Sequence, residues 1–127
     1  MAKSYRVVAP DRYLRCLPAD GTVTVALDGR AVARSDAAVE LLEGDRPGVL
    51  YLPRADVVAA LEDSELAFAC RWKGEAVHFH VRAGDRRVED GAWSYPEPPE
   101  DLAALAGLVA FDAEAFEIGL ETGSGRA

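Results

Sequence analysis

Two stretches of this chain alternate apolar residues with others on a period of two, and each runs into a dipeptide able to reverse the backbone. In the first, Val23, Val25 and Leu27 alternate with Thr22, Thr24 and Ala26. Asp28-Gly29 follows and tolerates the positive φ angles of a type I′ turn, so Arg30 to Arg34 should return antiparallel. In the second, Leu66, Phe68, Cys70 and Trp72 alternate with Ala67, Ala69 and Arg71. Lys73-Gly74 then supplies a two-residue turn, although Lys suits positive φ less well than Asn. That turn sets Trp72 against Glu75, Cys70 against Val77 and Phe68 against Phe79. One face of this hairpin carries Leu66, Phe68, Cys70, Trp72, Val77, Phe79 and Val81. The other carries Ala67, Ala69, Arg71, Ala76, His78, His80 and Arg82. A one-residue bulge would exchange the faces of one strand.

The rest of the chain is punctuated in the same way. Residues 1–20 read as irregular, with a short strand at Tyr5 to Val8. Ala37 to Leu42 stays open between a strand and a short helix capped by Ser35 or Asp36. Val49 to Leu52 is a buried strand closed by Pro53, and the spacing of Val57, Val58 and Leu61 predicts a two-turn helix. Gly84-Asp85 turns the chain into Arg86 to Asp90, completing a three-stranded meander. Pro96-Glu-Pro-Pro99 is a rigid connector whose last proline suits a helix start, with Leu102 to Leu105 as about one turn. Leu108 to Phe111 and Phe116 to Leu120 close the fold as strands. The class is mainly β: a small antiparallel two-sheet sandwich or open barrel with one or two short helices. Residues 1–22 read as a partly ordered extension, 23–120 as a single domain and 121–127 as a mobile tail.

Half of the residues are hydrophobic, enough for a core without staples in a chain of 127 residues. Cys16 and Cys70 form no CxxC pair, so neither a zinc knuckle nor a dithiol redox motif is signalled. Lys3 and Arg6 are followed by no apolar stretch of a secretory leader, and no apolar run nears the roughly 18 residues that span a bilayer. The expected location is cytoplasmic, without membrane association. A net charge of −8 argues against a nucleic-acid partner. Residues 1–35 carry six basic and three acidic side chains, residues 97–127 one basic and seven acidic. That asymmetry reads as solubility or as contact between a basic and an acidic edge in a homodimer.

Four segments carry a family resemblance. Tyr51-Leu-Pro-Arg-Ala-Asp-Val57 is similar to a Tyr-Phe-Pro-x-x-Asp-Val stretch, and Cys70-Arg-Trp-Lys-Gly74 to Cys-Pro-Tyr-Lys-Gly. Ala92-Trp-Ser-Tyr-Pro96 matches Ala-Trp-Ser-Tyr-Pro, and Gly107-Leu-Val-Ala-Phe111 resembles Gly-Tyr-Val-Ala-Phe. In this order and at these intervals, from about Val23 to Leu120, they resemble the bacterial domain of unknown function 427. The resemblance implies a fold similar to the Mss4-like β-tent, two small antiparallel sheets leaning together. Zinc-binding relatives of that fold use CxxC pairs absent here, and a shared fold does not transfer an activity. The family has also carried a nucleotidyltransferase-like label. Such enzymes pair a Gly-Ser turn with two following carboxylates, whereas Ser124 lies after every carboxylate of this chain. Arg71, Trp72 and His78-Phe79-His80 depart from the family pattern.

Candidate chemistry is sparse. Cys70 as a nucleophile would need a thiolate favoured by Lys73 or Arg71, whereas among Phe68, Trp72 and Val77 it would be a small hydrophobe. His78 and His80, two apart on a strand, share a side, but two imidazoles fall short of a metal ligand set. No metal or other cofactor is expected. Trp93, Tyr95 and Tyr51 can line a pocket, although a place in the core is the favoured reading of such rings. The expected function is binding of a small molecule or peptide by Tyr51, Lys73, His78, His80, Trp93 and Tyr95, with Ala67 and Ala69 leaving a recess beside the histidines. The alternatives are an enzyme of unknown reaction, hydrolase, transferase or redox, using Cys70 or the histidine pair, and a protein interaction module.

Overall fold

The computed structural model describes residues 14–70 and 73–122, with the side chain of Phe68 outside that description. The expectations for Tyr5 to Val8, for Arg71 and Trp72, and for the tail beyond Thr122 lie outside the described residues. Among the described residues, ten strands form two antiparallel sheets, and neither sheet closes into a barrel. They are β1 (Leu14–Pro18), β2 (Thr22–Leu27), β3 (Arg30–Ser35), β4 (Val39–Glu43) and β5 (Val49–Pro53), followed by β6 (Ala60–Cys70), β7 (Gly74–Ala83), β8 (Arg86–Ser94), β9 (Leu108–Phe111) and β10 (Glu117–Glu121). The larger sheet runs β1-β4-β5-β9-β8-β7-β6 and the smaller β10-β2-β3. No helix among the described residues is long and apolar enough to cross a membrane.

The first hairpin forms as its turn chemistry dictates. Leu27 pairs with Arg30, and Asp28 and Gly29 take φ angles of 52° and 79°. The stretch from Ala37 to Leu42 is strand only from Val39 on, because Ser35 Oγ accepts from the Ala37 amide at 2.9 Å in a local turn rather than a helix cap. The two-turn helix expected around Val57 to Leu61 is absent. A single 3-10 turn, Arg54–Asp56, stands there instead. The amides of Val58 and Ala59 both donate to the Val32 carbonyl, Val57 bridges Ala33, and Leu61 already belongs to β6. Two consecutive β-branched valines resist helix, and β3 offers their backbone a partner.

The central strands of the large sheet are apolar on both faces, and this makes two cores. Toward the small sheet, Leu52, Phe79, Val81, Val109 and Phe111 pack on Val23, Val25, Leu27 and Val32. On the opposite face, Tyr51, Ala76, Tyr95 and Ala110 gather with Leu14 and Leu41. A 3-10 helix, Glu100–Leu105, begins directly after Pro99 and drops Leu102 and Leu105 onto that second cluster. Burying each of these leucines is worth about 1.5–3 kcal/mol, so one short helix closes most of this face. What it leaves open is the site.

Candidate functional site

Alternation along four strands aims side chains into one hollow on the second face. On β5, Leu52 faces the small sheet and Tyr51 the hollow; on β8, Ala92 and Trp93 divide in the same way, with Tyr95 two residues beyond. On β7, Phe79 and Val81 go to the first core, while Ala76 and His78 turn to the hollow. Leu41 and Glu43 project from β4, and the following turn brings Arg46 and Pro47 over the rim. The cavity measures about 340 Å³, the scale of a small-molecule pocket.

Its walls are rings and its mouth is an ion pair. Trp93 Nε1 donates to the Tyr51 hydroxyl at 3.2 Å. The Tyr51 and Tyr95 rings lie 6.4 Å apart at 46°, and those of His78 and Trp93 6.3 Å apart at 35°. Lys73 Nζ donates to Glu43 Oε1 at 3.2 Å and sits 5.6 Å from the centre of the Tyr95 ring. The Arg46 guanidinium lies 3.7 Å from the other Glu43 oxygen. Burial holds the Tyr51 phenol far above its ordinary range, outweighing the Trp93 hydrogen bond that favours the phenolate. Burial raises Tyr95 too, against the opposing pull of Lys73. Both phenols are therefore neutral O–H groups near neutral pH.

Of the six expected binding residues, the structure brings five together here: Tyr51, Lys73, His78, Trp93 and Tyr95. His80 goes elsewhere. Each histidine on β7 faces a bulge in one neighbouring strand. Residues 64–66 of β6 stand opposite His78, and residues 89–91 of β8 stand opposite His80. The two bulges meet across β7, where Ser64 Oγ donates to the Asp90 carboxylate. The Asp90 amide donates to His80 Nδ1 at 3.1 Å, so His80 lines a shallow depression with Glu62, Ser64, Arg87 and Asp90. There, hydrogen bonds from Arg82 and Arg87 hold the Glu62 carboxyl below its ordinary range. Asp90, at φ 53°, precedes Gly91. That Asp-Gly dipeptide is the signal of the bulge that a plain strand reading passes over.

The recess expected beside Ala67 and Ala69 is a correction. The second hairpin closes on the pair Cys70 and Gly74, leaving residues 71–73 between them, and Ala69 pairs with Glu75 and Ala67 with Val77. The positive φ of 93° falls on Gly74, so Lys73 lies within the connection rather than in a two-residue turn. The pairing moves by an odd number of residues and β6 exchanges its faces, as one bulge can do. Ala67 and Ala69 become exposed. Cys70 packs half-buried against the second cluster instead of beside Val77 and Phe79. Cys16 joins that cluster, its thiol pushed up by burial. Glu43 and Arg46 are functional candidates that the residue pattern did not single out. The available signal was Val39, Leu41 and Glu43 alternating ahead of Gly44-Asp45. Among the described residues, no group of three His, Cys, Asp or Glu side chains is placed to hold a metal ion.

An open two-sheet antiparallel β domain with one ring-walled cavity outside its main core is the class that fold and site define. The family model of the domain of unknown function DUF427 matches residues 15–122, and the chain belongs to that family. No curated protein matches it.

Proposed function

We propose that the domain binds a small molecule in the cavity between Tyr51, Lys73, His78 and Trp93. The observation that carries this reading is convergence. Three segments that are far apart in sequence and resemble the family motifs supply Tyr51, Lys73, Trp93 and Tyr95, and all four line one hollow. Tyr51 and Tyr95 are buried in the second cluster and form the back of the hollow, while the partly buried Trp93 borders open space close to the Lys73–Glu43 pair. The volume suits a compact molecule or a short stretch of peptide. The reading rests on this site and not on a β-tent likeness of the fold. Soaking crystals of the protein in a set of small aromatic fragments tests it. Density between Trp93 and Lys73 is the expected result, and fragments gathering elsewhere while this cavity stays empty would overturn it.

A further inference from the structure

The rim of the cavity carries two cations and one carboxylate. Glu43 is the shared partner of Lys73 and Arg46, so one positive charge is in excess at this spot on a chain whose net charge is −8. Lys73 is held there deliberately by its surroundings, with only 17% of its side chain exposed and Glu43 at 12%. An ammonium removed from water to this degree interacts more strongly with an anion than a surface lysine does. Beneath the rim, the neutral hydroxyls of Tyr51 and Tyr95 are hydrogen-bond donors, and the Tyr51 oxygen already accepts from Trp93. The rest of the lining is flat or apolar: Trp93, His78, Ala76 and Val49.

From this arrangement we infer that the ligand is an organic anion with a flat apolar body, an aromatic carboxylate in type. Its charge sits against Lys73 and Arg46 and its body lies along the Trp93 ring. The inference rests on the cavity being a binding site and adds the ligand's chemical class. A cationic ligand would meet two like charges at the rim, with the one carboxylate there already engaged by both. A neutral ligand would gain nothing from the excess charge of the rim.

Three probes of nearly one shape separate these cases: benzoate, benzamide and benzamidinium, titrated while the Trp93 indole N–H resonance is followed. Benzoate should bind about tenfold or more tighter than benzamide, the scale of a hydrogen bond to a charged group, and benzamidinium should bind weakest. In Lys73→Met that preference should be lost, benzoate binding no tighter than benzamide to the same variant. Arg46→Gln, at a side chain 58% exposed, should reduce the preference without disturbing the fold. Benzamide or benzamidinium bound as tightly as benzoate would overturn the inference yet leave the cavity a binding site. A benzoate preference surviving both substitutions would also overturn it, by showing that the charge is held elsewhere. If no probe moves the Trp93 resonance, the binding reading itself fails and takes the inference with it.

Discussion

Glu43 is 9% exposed and lies between two cations on the rim of a cavity. A buried carboxylate costs free energy unless it is paired, so Lys73 and Glu43 should depend on each other for stability. Lys73→Met should cost about 1–3 kcal/mol because it strips Glu43 of its nearer cation. The double variant Lys73→Met with Glu43→Gln should be more stable than the two separate losses imply, by about 1 kcal/mol or more. Urea melts of the four proteins of this cycle measure the difference, and strictly additive losses would mean that the pair is not coupled. Tyr51 gives a pH signature of its own. The phenol is raised by burial, so the folded chain keeps its proton where the unfolded chain ionises, above about pH 10. The stability it contributes is complete below that pH and is lost as pH rises beyond it. The melting temperature of Tyr51→Phe should therefore fall less between about pH 9 and about pH 11 than that of the parent. Parallel curves would show that this phenol is not held neutral by the fold.

At the scale of elements, what was legible depended on whether turn and register are decided locally. The first hairpin was readable because Asp28 and Gly29 are suited to the two positive φ angles that a type I′ turn needs. The alternation of β7 was readable from its period of two alone: Val77, Phe79 and Val81 do face the first core, and Ala76 and His78 the second face. The register of β6 was not, because Lys73 and Gly74 leave open which residue takes the left-handed conformation. Nor were the bulges, since residues 64–66 and 89–91 are accommodated by partners that only the assembled sheet supplies. Gly74 offers a test of the hairpin. Its φ is 93°, and a Cβ there would stand 3.0 Å from the Glu97 carbonyl oxygen, whereas Gly29 has nothing within 4 Å. Gly74→Ala should cost about 1–2 kcal/mol for the conformation alone, with the close approach adding to it. It should therefore destabilise more than Gly29→Ala in matched urea melts. Equal losses would place no constraint at Glu97.

Across the whole molecule, the large sheet serves two purposes with one alternation. One face builds the core against β2, β3 and β10, and the other is covered by the Glu100–Leu105 helix except where the cavity opens. Most of the candidate site was legible because its residues are polar-tipped rings and a lysine within family-like segments. Glu43 and Arg46 were not, because their place on the rim depends on the ion pair of Glu43 with Lys73, which only the fold brings together. Ala76 is the position from which occupation of the cavity can be blocked, since it is 1% exposed, lines the cavity and has no polar role. Ala76→Leu should fill the hollow at an overpacking cost of about 1–3 kcal/mol or less, keeping the protein folded. The measurement is the Trp93 indole N–H resonance during a benzoate titration of the parent and of folded Ala76→Leu. A saturable shift is expected in the parent and none in the variant, and the same shift in both would show that benzoate does not occupy this cavity.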